Sequence, residues 1–332
     1  MPGTGRADEV SETAAIILAA GKSTRMKSDR PKVLHEVCGR PMLAFPLAAC
    51  RLAGAEPILI VVGHGGEAVR QAFDGEGDVE WVTQPEQKGT GHAVACCRSA
   101  LESFDGNVLV LAGDMPLVRR EPLVRLVEVR EQRQAALSLA TALLDDPAGY
   151  GRIVRDEAGE IVEIVEERDC TPAQREIREV NPSYYCFDAG VLFEAVGAVD
   201  ASPKSGEVYL TDLVSVLRSR GLRVCAEVTV PAEEALGVNS RLDLAMVNRV
   251  MQDRIQLGLM QEGTTIVDPD NTWIEAGVTV GRDTVIHPFS TIGADAVIGE
   301  RCRIGPFARI GAGEVVASGS VVEAGSVKGA TT

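Results

Sequence analysis

The chain reads as an α/β domain with a mixed, mostly parallel sheet, followed by a short parallel β-helix of about three coils. Two features of the sequence carry that reading. Apolar runs alternate with amphipathic stretches from residue 14 to about 230, and aliphatic residues recur every six positions from Ile274 onward. Strands separated by helical stretches imply a parallel sheet covered by helices. A six-residue aliphatic period with small neighbours is the pattern of a hexapeptide β-helix.

Residues 14–20 (AAIILAA) form a buried strand that runs into a Gly-bearing loop. Residues 57–62, 79–84 and 107–112 are further strands, and helical patterns cover 42–53, 66–73 and 92–104. Segments 151–155 and 160–166 flank Asp156-Glu157-Ala158-Gly159 as a hairpin; 179–188 is a strand and 210–220 a helix. Residues 241–261 form a longer amphipathic helix, a connecting arm, with Leu242, Leu244, Ala245, Val247, Met251, Ile255 and Leu259 as its stripe.

The hexapeptide anchors then run without a miss through Ile274, Val280, Ile286, Ile292, Ile298, Ile304, Ile310, Val316 and Val322. Four residues after each anchor stands a small side chain, except at Val278 and Glu314. Phe289 and Phe307, each after a proline, are one coil apart and are expected to stack into an apolar ridge on one corner. That ridge suits three-fold packing, or else packing on the 241–261 arm. The division that follows is 1–13 a flexible N-terminus, 14–239 the α/β domain, 240–263 the arm and 264–332 the β-helix.

Composition narrows the function. The 332 residues hold 33 Lys plus Arg and 48 Asp plus Glu, a net charge of −15, which disfavours nucleic acid and anionic membranes as main partners. No apolar run approaches the roughly 20 residues of a membrane span, and the N-terminus carries no secretory signal, so a cytoplasmic location is expected. The eight cysteines form no Cys-x-x-Cys pair and read as buried hydrophobes. Four histidines far apart in sequence give little support to a zinc site.

In a parallel sheet, ligands sit at the carboxyl ends of the strands, which points to three loops. The first, Gly21-Lys22-Ser23-Thr24-Arg25-Met26 with Pro31-Lys32 beyond, offers backbone N–H groups and the cations Arg25 and Lys32 to a triphosphate. It is neither a Walker A loop nor a dinucleotide fingerprint. In the second, Gln84 at a strand end can donate and accept together, which suits an imide edge such as uracil or thymine, and Gly89-Thr90-Gly91 opens a helix. In the third, Asp114 ends a buried strand and is a natural Mg²⁺ ligand.

In this order LAAGKSTRM, PKVLH, QKGTGHA, GDMPL, DPAGYGRIV, IVEERD, EVN, GEVYLTD and GVNSRLDL resemble the bacterial N-acetylglucosamine-1-phosphate uridylyltransferases. These are bifunctional proteins whose C-terminal half is a left-handed β-helical acetyltransferase. The resemblance implies a Rossmann-like nucleotidyltransferase domain. It implies that the Leu18, Ala19, Ala20 and Gly21 backbone, with Gln84 and Gly89, holds uracil. Arg25 and Lys32 would hold the triphosphate, Thr90, Gly151, Glu166 and Asn181 the sugar, and Asp114 with Asn239 Mg²⁺. The sugar phosphate is itself an anionic nucleophile, so neutralising charge, rather than a base, is what the reaction requires.

The motifs depart from the family in places, Ala112 among them, where some relatives carry an aromatic residue. Ser23 replaces a usual glycine, and Pro182-Ser183 follow Asn181 where Thr or Ser and then Gly are usual. The expectation is Mg²⁺-dependent transfer from UTP to N-acetylglucosamine 1-phosphate, without an acetyltransferase site in about three coils whose one histidine is His287. The rival readings are another sugar 1-phosphate, with UTP or dTTP, and a non-catalytic scaffold that trimerises through its β-helix.

Overall fold

The computed structural model describes residues 11–22, 24–200 and 206–329. Ser23 and residues 1–10 of the N-terminal segment lie outside them, as do Thr331 and Thr332. The chain forms two compact units, one of residues up to Leu34 and Leu43–Gly237, the other of His35–Met42 and Val238–Thr332.

The first unit is built on a nine-stranded sheet. Its elements are β1 (Thr13–Ala19), α1 (Ala44–Leu52), β2 (Ile58–Val62), α2 (Gly66–Ala72), β3 (Val79–Thr83), α3 (Thr90–Ala95), β4 (Asn107–Ala112), α4 (Arg120–Arg133) and β5 (Leu137–Leu143). Then follow β6 (Gly151–Arg155), β7 (Ile161–Val165), β8 (Glu179–Asp188), α5 (Ala189–Val196), α6 (Leu213–Ser219) and β9 (Val224–Val228). Strand order is β9-β5-β8-β4-β1-β2-β3, with β6 pairing β8 and β7. β1 lies parallel between β2 and β4, whereas β8 is antiparallel to β4 and β5. The sheet is thus mixed, and its parallel half points four strand ends at one edge.

Alternation along β1 explains why the sheet is covered on both faces. Ala14 and Ile16 enter one apolar cluster, and Ala15, Ile17 and Ala19 the other. The first cluster is closed by α3, α5 and α6 residues such as Val94, Leu192 and Leu213, and the second by α1 and α4 residues such as Leu47 and Leu123.

Four elements differ from the sequence reading. The helix expected over 92–104 ends at Ala95, and turns follow to residue 103. Its apolar residues, Cys97 and Leu101 among them, still reach the core, so burial was legible where conformation was not. Helix α4 and strands β5 and β9 were missed. The outer face of α4 is highly charged, and β5 reads LSLATAL, an apolar segment without β-branched enrichment beyond one threonine.

The second unit holds α7 (Arg241–Gln261) and eleven two-residue strands in parallel sheets of four, four and three. The anchors stack at an 18-residue repeat: Ile292 lies between Ile274 and Ile310, and Ile298 between Val280 and Val316. One further rung precedes the predicted start, with Ile266 on Ile286, because the 3-10 turn Pro269–Asn271 breaks the six-residue spacing there. Small residues at Thr284, Ser290, Ala296, Cys302 and Ala308 are buried, whereas Glu314, Ser320 and Ser326 are half-buried.

Helix α7 does more than connect. Its buried face is Val247, Met251, Gln252, Gln256 and Leu259, while Leu242 and Ala245 of the predicted stripe are exposed. Gln252 acts as a substitute strand: its Oε1 accepts from the Ile274 N–H at 3.0 Å and its Nε2 donates to the Ile274 carbonyl at 2.5 Å. Gln256 donates to the Thr272 carbonyl at 2.9 Å. Buried glutamines here satisfy an otherwise unpaired strand edge.

Candidate active site

The loops after β1, β2, β3 and β4 meet at the carboxyl edge of the parallel strands. Hydrogen bonds to backbone carbonyls tie them together. Gly113 N–H donates to the Leu18 carbonyl at 2.9 Å, Gln84 N–H to the Val62 carbonyl at 2.8 Å, and Gln87 Nε2 to the Ala20 carbonyl at 2.5 Å. A Cβ on Gly113 would lie 3.0 Å from the Leu18 oxygen, so this close approach needs glycine. Above Gly21, by contrast, a Cβ would meet nothing within 4 Å, which leaves its backbone open to a ligand.

Lys32 and Asp114, 82 positions apart in sequence, are joined by a short ion pair at the ends of this edge. Lys32 leads the 3-10 turn Lys32–Leu34, whose Val33 and Leu34 are buried and anchor it. A cleft of about 350 Å³ opens beside the pair, with Lys22, Arg30, Lys32 and His64 on its walls. Arg25 is exposed in the adjoining turn, while its neighbour Met26 is buried and pins that turn.

Gln84 is buried, and its amide is partly committed. Nε2 donates to the Gly89 carbonyl and contacts His92 Nδ1, each at 3.0 Å. Both amide hydrogens are then used inside the protein, and the oxygen remains to accept. The dual donor–acceptor role expected from sequence is reduced to its acceptor half. Gly89 sits at φ +94°, where a Cβ would lie 2.4 Å from the Val208 oxygen. The Thr90 hydroxyl accepts from the Leu210 N–H at 2.9 Å.

A second cluster lies on β6, β7 and β8. Gly151 pairs with Asn181 across β6 and β8, and a Cβ on Gly151 would lie 2.9 Å from Ile164. Asn181 Nδ2 donates to the Tyr185 hydroxyl at 2.6 Å, and its Oδ1 accepts from Ser183 N–H at 3.0 Å. Each end of the amide keeps capacity for one more bond. The departure at Pro182-Ser183 forms a bulge, where the β8–β5 register shifts and Ser183 adopts φ +65°. Ser183 thus occupies a conformation that favours glycine.

Glu166 follows β7. Burial pushes its carboxyl above the ordinary carboxylate range, opposed by the Thr211 hydroxyl, which donates to Oε1 at 3.0 Å. Thr211 was not singled out as a site residue, although it stands inside the GEVYLTD motif. The segment 208–211 links the two clusters: Val208 bonds Lys88 and Gly91, Leu210 bonds Thr90, and Thr211 bonds Glu166.

Asn239 belongs to the second unit. It precedes the N-cap Ser240 of α7, and its N–H donates to Asp243 Oδ2 at 2.9 Å. Among the described residues, no group of three or more His, Cys, Asp or Glu could cage a metal ion. A single carboxylate such as Asp114 fits a hard cation that is completed by substrate phosphates and water, which is how Mg²⁺ is usually bound. All eight cysteines are free and, apart from the half-buried Cys96, buried.

The first unit is a mixed sheet whose loops gather Lys22, Arg30, Lys32 and Asp114 at one edge, and the second carries hexapeptide coils. Residues 15–175 match the family described as MobA-like NTP transferase domain, and residues 277–312 the bacterial transferase hexapeptide of six repeats. The chain is a homologue of the GlmU-type proteins. It is 46% identical to the bifunctional protein GlmU of Pelobacter propionicus over 89% of this chain and 64% of that protein. Identity to the Syntrophotalea carbinolica protein is 47% over 88% and 62%, and to the Geobacter metallireducens protein 46% over 88% and 62%, respectively. The chain thus spans less than two thirds of the length of these relatives.

Proposed function

We propose that the chain is a Mg²⁺-dependent enzyme that transfers the uridylyl group of UTP to N-acetylglucosamine 1-phosphate, releasing UDP-N-acetylglucosamine and pyrophosphate. The observation that carries the reading is the Lys32–Asp114 pair beside the open Gly21 backbone and its cationic cleft. Homology to GlmU-type proteins supports the choice of substrates.

In this reading a sugar-phosphate oxygen attacks the α-phosphorus of UTP, an O–P bond forms, and the bond from that phosphorus to the β-phosphate bridge breaks. No proton moves. Lys32 and Arg25 hold the triphosphate, and the Leu18–Gly21 backbone with Gly89 forms the uracil pocket. The Gln84 oxygen accepts from the uracil imide N–H. Thr90, Gly151, Glu166 and Asn181 address the sugar, with Glu166 oriented by Thr211. Asp114 and Asn239 hold the metal; Asn239 is assigned by resemblance to the family. When bound, Mg²⁺ neutralises phosphate charge.

No helix among the described residues is long and apolar enough to cross a membrane, in keeping with a cytoplasmic enzyme. The matched hexapeptide coils serve assembly in this reading, as a homotrimer, and carry no acetyl transfer. Pyrophosphate release over a panel of sugar 1-phosphates with UTP and dTTP tests the assignment. N-Acetylglucosamine 1-phosphate with UTP should give the highest kcat/KM; preference for another pair would replace the substrates, and release from none would remove the activity. Saturable CoA release with acetyl-CoA and glucosamine 1-phosphate would overturn the absence of acetyl transfer.

A further inference from the structure

The turn after β2 reads Gly63-His64-Gly65-Gly66, and nothing above gives it a role. Its glycines answer a steric demand. A Cβ on Gly63 would lie 2.9 Å from the Ala20 carbonyl oxygen. Gly65 sits at φ +71°, with a Cβ position 2.8 Å from Pro31 Cγ, and a Cβ on Gly66 would lie 3.0 Å from Val62 Cγ2. The turn is therefore pressed against both ends of the loop that runs from β1 to Lys32. His64 alone in this turn carries a side chain. It is exposed and lines the same cleft as Lys22, Arg30 and Lys32, with Asp29 as the carboxylate on that wall.

We propose that His64 completes an anion subsite, with Lys22, Arg30 and Lys32, that binds the β- and γ-phosphates of the nucleotide and hence the leaving pyrophosphate. The inference rests on the proposed reaction for the identity of that anion. Pyrophosphate carries several negative charges, and Lys32 is shared with Asp114, so further donors are required along the cleft. Imidazole supplies an N–H donor in every tautomer and protonation state. The packed glycine turn holds it in place without a long flexible arm, which lowers the entropy lost on binding.

Calorimetric titration of the full chain with inorganic pyrophosphate tests this. His64→Ala should weaken pyrophosphate binding about tenfold or more, the loss of one hydrogen bond to a charged group. His64→Asn, which keeps an N–H donor, should recover part of that loss. Affinity for UDP-N-acetylglucosamine and the thermal midpoint should stay at wild-type values in both variants. Unchanged pyrophosphate affinity in His64→Ala overturns the proposal, and so does an equal loss for both ligands. If the wild-type chain binds pyrophosphate through His64 yet releases none from any substrate pair, the subsite stands and the proposed reaction falls.

Discussion

Asp114 stands at the point where the charges of the proposed reaction converge, and Lys32 is its resident partner. Asp114→Asn should reduce Mg²⁺-dependent turnover by about two orders of magnitude or more, because charge neutralisation is the main catalytic term. Its circular dichroism should match wild type, since the side chain is half-buried outside both apolar clusters. Glu166 gives a pH signature. Its folded pKa lies above the ordinary 4.5, so the folded chain keeps that proton to higher pH than the unfolded one. The associated stability is complete below the unfolded pKa and is lost as pH rises through the folded value. Glu166→Gln does not titrate, so chemical denaturation should find its stability relative to wild type rising as pH climbs above the ordinary carboxylate range. Ser183 stores strain at φ +65°. Ser183→Gly should gain roughly 0.5–1 kcal/mol, a left-handed penalty of about 1–2 kcal/mol partly offset by glycine's unfolded-state entropy. An unchanged denaturation midpoint would show that the bulge is unstrained.

Among the elements, α7 shows how an apolar period can mislead. Its 3.6-residue pattern was correct in extent, yet the residues that fasten it are Gln252 and Gln256, which a hydrophobic stripe ignores. Gln252→Leu keeps the volume but orphans the Ile274 N–H and carbonyl. Each buried unpaired group costs about 1–3 kcal/mol. The variant should unfold the β-helix unit at clearly lower denaturant than wild type, and a change within error would mean that water replaces the amide. The hexapeptide strands were legible rung by rung because one face of each must be buried and the repeat is strict. Helix α3 was overextended because burial of Cys97 and Leu101 resembles a helical period, although the backbone there is a series of turns.

For the molecule as a whole, assembly turns on the β-helix surface. Phe289 and Phe307 stack with ring centroids 4.9 Å apart and planes 9° apart, as their one-coil spacing predicted, and both are more than half exposed. They are therefore not buried by α7 within the chain. Val297, Val315 and Val321 add exposed aliphatic positions to the outer faces of the coils. Apolar surface of this extent is a candidate interface. Sedimentation equilibrium at micromolar protein should give a trimer, and Phe289→Glu with Phe307→Glu should shift it toward monomer. A single monomeric species for the wild type would exclude trimerisation.

The sequence by itself determined the α/β alternation, the coil repeat, the strand–loop positions of Gly21, Gln84 and Asp114, and the resemblance to GlmU-type proteins. These follow from local rules: which face is buried, where glycine is required, and which motifs stand in which order. Tertiary structure alone decided that Lys32 meets Asp114, that the Gln84 amide is half spent on Gly89 and His92, that Thr211 braces Glu166, and that His64 lines one cleft with Lys22, Arg30 and Lys32. All but the Gln84 contacts, which fold one loop back on itself, join residues from separate loops, and the sheet order that brings those strand ends together is set by packing across the whole domain, which no local period encodes.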